Sequence, residues 1–136
     1  MERSGWQVIV ASKALENRVS IEQTQHAIDR YFGIMGRGGN FAYCYTTDVT
    51  WITSDTGERI HGPNSVRDYI VALHANMVDM QTRRFLVGDG SVYLEGDCAD
   101  TFTRTSNRIS YCVAYDMKDD LISAMRCYGP IARFTS

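Results

Sequence analysis

Beyond residue 80 the chain carries no sustained helical period. Four stretches rich in β-branched and aromatic residues follow one another: Gln81–Val87, Ser91–Thr103, Arg108–Asp116 and Leu121–Tyr128. Only the short polar breaks Gly88-Asp89-Gly90, Thr105-Ser106-Asn107 and Lys118-Asp119-Asp120 separate them. Strands joined by turns this short return alongside one another, so this half of the chain predicts an antiparallel meander. A sheet with one apolar face has to bury that face against something else.

The first half supplies the cover. Ser20 followed by Glu22 and Gln23 opens a helix in which Ala27, Ile28, Tyr31, Ile34 and Met35 recur at helical spacing, and the glycines from Gly36 to Gly39 end it. Asn40 caps a short helical turn that runs to Tyr45. Val49–Thr53, the turn Asp55-Thr56-Gly57 and Glu58–His61 read as a hairpin. Gly62-Pro63 then introduces a second helix from about Asn64 to Met77, with Val66, Tyr69, Ile70, Leu73 and Met77 as its apolar stripe. The expected fold is an α+β domain, with helices closing a strongly curved antiparallel sheet into a cone. Residues 1–20 show no period and read as an N-terminal arm; residues 21–136 form the one domain that 136 residues can hold.

Charge and cysteine usage remove several function classes. Fourteen basic residues stand against sixteen acidic ones and are scattered along the chain, which argues against nucleic acid as a partner. The apolar run Val8–Ala11 is too short for a membrane span or a signal-peptide core, so a soluble cytoplasmic protein without a membrane partner is expected. Cys44, Cys98, Cys112 and Cys127 form no CxxC pair and no metal-like spacing with His26, His61 and His74. Buried free thiols are expected, with neither metal nor cofactor.

Alternation along the strands assigns faces. Ile109, Tyr111, Val113 and Tyr115 form the inner set of one strand, and Ile122, Ala124, Arg126 and Tyr128 that of the last. Trp51 falls in the same phase as Val49 and Thr53, and Asp100 in the same phase as Phe102, so both are expected to point into the cone. An inward Asp100 beside Arg126 or Arg84 would be either a buried ion pair or a carboxylate able to move a proton. His74, one turn after Ile70, offers a second acid or base whose ordinary pKa suits neutral chemistry.

Three stretches carry a resemblance that covers roughly residues 20 to 134. They are Ile28-Asp29-Arg30-Tyr31-Phe32; the run from Tyr45 through Trp51 and Gly57 to Val66-Arg67-Asp68-Tyr69; and Ile122 through Arg126-Cys127-Tyr128. The order of elements and these residues resemble the nuclear transport factor 2-like superfamily, in particular its SnoaL-like and ketosteroid-isomerase-like members. The resemblance implies a cystatin-like α+β barrel and a homodimer formed through the outer sheet face. It puts Tyr31 where those isomerases keep an oxyanion-donating tyrosine, and Tyr45 where they often keep a supporting one. It puts Thr53 at their catalytic aspartate, Tyr111 near their second acidic donor, and Pro130 at the aspartate that SnoaL-like cyclases carry on the last strand. Arg84 replaces a histidine common among relatives.

The expected function is thus a cofactor-independent lyase, isomerase or cyclase working by general acid/base catalysis on a small hydrophobic molecule, aromatic, polyketide-like or terpenoid-like. Asp100, Tyr31, Arg126 and His74 are its expected catalytic residues; Trp51, Tyr45, Arg84, Phe102, Tyr111 and Tyr128 are expected to contact the substrate. The alternative is a module of the same fold that binds a ligand or assists assembly without turnover.

Overall fold

The computed structural model describes residues 20–100 and 107–135. Helix α1 covers residues 20–36 and is followed by a 3-10 turn, Phe41–Cys44, whose expected cap Asn40 accepts a hydrogen bond from the Ala42 amide. Strands β1 (Tyr45–Thr53) and β2 (Glu58–His61) form the hairpin, and α2 (Pro63–Asn76) follows it. Gly62 takes a positive φ of 91° to turn the chain into α2, and Pro63 fills the first helical turn, where its missing N–H costs nothing. The meander is β3 (Val78–Val87), β4 (Ser91–Ala99), β5 (Arg108–Lys118) and β6 (Leu121–Tyr128), and a last 3-10 turn spans Ala132–Phe134. The expected arm lies outside the described residues except for Ser20, which is helical. No described helix is long and apolar enough to cross a membrane.

The six strands form one sheet in the order β2-β1-β6-β5-β4-β3. Its neighbours are antiparallel except β1 and β6, which run parallel. The crossover through α2 carries the chain from the β1–β2 hairpin to the far edge, and the meander then walks back until β6 lies beside β1. The core fills the concave side: Ile28 and Tyr31 of α1 and Val66, Ile70 and Leu73 of α2 pack against Val49, Trp51, Val92, Val113, Tyr115 and Met125 of the sheet. Asn76 Nδ2 donates to the Phe134 carbonyl at 2.7 Å, tying the buried C-terminal turn to the end of α2.

Two bulges set which side chains face the core. Opposite Asp116 and Met117, β6 carries one extra residue, Ser123, whose hydroxyl donates to the Asp116 carbonyl at 3.1 Å. Past it the alternation inverts: Met125 and Cys127 are buried, while Arg126 and Tyr128 face outward. In β3, Thr82 pairs with Gly96 but Arg84 with Glu95, so Arg83 is the extra residue and Phe85 takes the inward phase.

Candidate functional site

Between α1, α2 and the concave face lies a cavity of about 360 Å³. Phe32 and Met35 of α1, Ile70, Leu73 and Met77 of α2, and Leu94 and Val113 of the sheet make its walls apolar. The polar groups on those walls are Tyr31, Tyr111, Tyr115, Trp51, His74, Thr82 and Cys127. Among the described residues that line it there is no carboxylate, lysine or arginine. An apolar cavity with a few convergent polar groups is the form that small-molecule sites take.

The aromatic groups are held in different ways. Tyr31 and Tyr45 share a hydrogen bond of 2.7 Å between hydroxyls, with Tyr31 on the cavity wall and the buried Tyr45 behind it. Trp51 Nε1 donates to Thr53 Oγ1 at 2.9 Å, and that oxygen lies 3.0 Å from the Tyr69 hydroxyl, which fixes the indole plane. The Tyr111 ring crosses directly over Gly96 on the neighbouring strand; a Cβ at Gly96 would stand 2.9 Å from the Tyr111 hydroxyl. Among the described residues the hydroxyls of Tyr111 and Tyr115 and the ring nitrogens of His74 make no hydrogen bond, yet none is sealed away from the cavity.

Burial decides the protonation of these groups. It pushes Tyr111 up to about 12 and raises Tyr31 and Tyr115 well above the ordinary tyrosine value, so all three phenols hold their protons at neutral pH and act as donors. Burial lowers His74, so its imidazole is neutral and can accept a proton. It pushes the Cys127 thiol up to about 12, which keeps that sulfur inert. Among the described residues the cavity wall therefore carries one imidazole and several neutral donors, and no fixed charge.

The expected residues separate into two groups. Tyr31, Trp51, His74 and Tyr111 meet at the cavity, and Tyr45 supports Tyr31 from behind. Arg126 does not point inward, because the Ser123 bulge shifts the last strand by one residue; its guanidinium makes a two-pronged pair with Asp116, at 2.7 and 3.1 Å, on the outer face. Tyr128 turns outward for the same reason and is half exposed. Arg84 is exposed and stands opposite Glu95 on the outer face, on the far side of the Arg83 bulge. Asp100 is buried, but its carboxylate pairs with Arg133 at 2.7 Å, and it is not among the described lining residues of the cavity into which alternation was expected to point it. Phe102 lies outside the described residues.

Another buried carboxylate, Asp97, was not singled out in the sequence. It sits on the outer face between Arg108 and Arg83, and the hydrogen bond from Arg108 holds it below the ordinary carboxylate range. Tyr115, Met35 and Met77 were legible only as core positions, and Met80 on the cavity wall carried no signal.

This arrangement is the nuclear transport factor 2-like fold: N-terminal helices over a six-stranded, mostly antiparallel sheet, with a cavity between them. No family model matches the chain, and no curated protein is significantly similar to it in sequence. Solved structures are similar in fold at low identity. A steroid delta-isomerase from Pseudomonas aeruginosa superposes with a TM-score of 0.69 at 13% identity, over 83% of each chain. A candidate ketosteroid isomerase from Kribbella flavida gives 0.64 at 23% identity, over 80% of this chain and 78% of that one. A nuclear transport factor 2-like protein from Burkholderia xenovorans gives 0.65 at 16% identity, over 85% of this chain and 97% of that one.

Proposed function

We propose that the protein is a cofactor-independent acid/base catalyst acting on a small, uncharged, hydrophobic carbonyl compound bound in the cavity, in the manner of an isomerase, lyase or cyclase. The observation that carries this reading is a neutral imidazole sharing an apolar cavity with two hydroxyls that have no partner. His74 is the general base, taking a proton from a carbon next to the carbonyl. Tyr111 and Tyr115 donate to the oxygen on which negative charge then develops. Tyr31, backed by Tyr45, is a third donor on the same wall. The likeness in fold to a steroid delta-isomerase and a candidate ketosteroid isomerase favours the same class of reaction.

The test is deuterium exchange at the acidic ring carbon of 2-tetralone in D2O, followed by NMR. The native protein is expected to exchange it well above the buffer rate, and His74→Gln to lose about 100-fold of that rate. The rate should rise with pH through a pKa below the ordinary histidine value of about 6.5, because only the neutral ring accepts a proton. Equal exchange by the native protein and His74→Gln would overturn the proposal. The cavity's lack of a carboxylate favours a second reading, a binding module without turnover, which would give saturable binding of 2-tetralone and no exchange.

We further propose a homodimer formed through the outer sheet face. There the side chains of Tyr93 and Tyr128 are about half exposed, at 47% and 48%, close to Cys112 and Ala114. Light scattering at micromolar concentration should give about twice 15.4 kDa; a monomer would refute it.

A further inference from the structure

A second hollow adjoins the inner chamber. It has a volume of about 270 Å³, lies between α1 and the β3–β4 pair, and shares Phe32, Thr82 and Leu94 of its lining with that chamber. Phe32 stands between the two, with its ring edge-on to Phe85 on the outer side and to Tyr115 on the inner, both at 6.0 Å between centroids. The remaining wall of the outer hollow is Asp29, one turn before Phe32 on α1. Its carboxylate accepts a hydrogen bond from Gln25 at 2.9 Å, and no cationic side chain forms an ion pair with it among the described residues.

The neighbouring cations are turned elsewhere. Arg30 reaches Cys44 on the other side of α1, Arg83 is held by Asp97, and Arg84 stands on the outer face of the sheet. Among the described residues Asp29 is thus the one charge on the walls of either compartment, and it is negative. Asp29 is exposed at the rim of this open hollow, so its attraction for a cationic group is that of a partly hydrated ion pair.

Building on the proposed use of the inner chamber, we infer that the full ligand is an elongated apolar molecule whose neutral end enters the inner chamber and whose outer end carries a positive charge, such as an amine, beside Asp29. Phe32 is the partition the ligand passes, and Asp29 is a specificity residue that takes no part in the proton transfer.

The test uses three fluorophores that share one rod and differ in the group at one end: diphenylhexatriene, its trimethylammonium derivative and its propionic acid derivative. Fluorescence titration of the native protein should rank them cation, neutral, anion, with the cation about fivefold tighter than the neutral rod, the scale of a partly exposed ion pair. Raising the salt from 0.1 to 0.5 M should compress that ratio. Asp29→Asn, an exposed helix position, should bring the cation to the affinity of the neutral rod and leave the neutral rod unchanged. Equal binding of cation and neutral rod by the native protein, or a preference that survives in Asp29→Asn, would overturn the inference while the inner chamber still holds the neutral rod. Failure of all three rods to bind would remove the inference together with the reading of the chamber as a ligand site.

Discussion

Gly96→Val is expected to destabilise the protein by about 3 kcal/mol, lowering Tm by roughly 10 °C or more for a domain of this size. Gly96 sits in the middle of β4 and faces the cavity, with Thr82 beside it on one strand and Tyr111 on the other. The first atom of any side chain there would lie 2.9 Å from both the Gln81 carbonyl oxygen and the Tyr111 hydroxyl. The carbonyl cannot retreat without opening the β3–β4 ladder, and the phenol cannot retreat without leaving its place over the cavity. Gly96→Ala should show a smaller loss of the same kind, and both variants should displace the Tyr111 ring. Thermal or urea unfolding with native stability would show that the ring and strand give way more easily than the packing implies.

Tyr31→Phe is expected to cost about 2 kcal/mol and Tyr45→Phe about 1, while the double variant costs less than their sum. The two hydroxyls satisfy each other at 2.7 Å, and their environments differ behind that bond. Removing the Tyr31 hydroxyl leaves that of Tyr45 buried and away from the cavity, with its partner gone. Removing the Tyr45 hydroxyl leaves that of Tyr31 on the cavity wall, where water can replace it. With both gone, no polar atom is left stranded, and two phenylalanines fill nearly the same volume. Urea unfolding of the four proteins gives the coupling directly; strictly additive losses would mean that the pair contributes nothing as a pair.

How much of this was legible in the sequence depends on the length scale. Element order was readable because long β-rich runs and two helical stripes repeat their signal over many residues: α2 was expected at about Asn64 to Met77 and is Pro63–Asn76. The inner face of β5 was readable too, since Tyr111, Val113 and Tyr115 alternate without interruption. Arg126 and Arg84 were misplaced by a single residue each. The signal for a bulge is one unpaired residue, and Ser123 and Arg83 are chemically ordinary in their strands. Asp100 shows a different limit. It is buried, yet its partner Arg133 comes from the last turn, and no local pattern reveals a contact made across 33 residues. His74 was legible as a residue facing the cone because helical spacing from Ile70 survives any strand slip, whereas the pairing of Asp100 with Arg133 away from the described cavity walls needed the fold itself.

The extra residue in β6 has a consequence for the cavity's electrical character. With Ser123 counted in, the strand presents Met125 and Cys127 to the interior and hands Arg126 to Asp116 on the far side. Counted out, the same residues would offer a guanidinium to the space that His74 and the phenols now share. Neutrality at this site is therefore written in the number of residues between Ile122 and Met125 rather than in which residues they are, and the site's chemistry would respond to a one-codon insertion or deletion more than to most substitutions nearby.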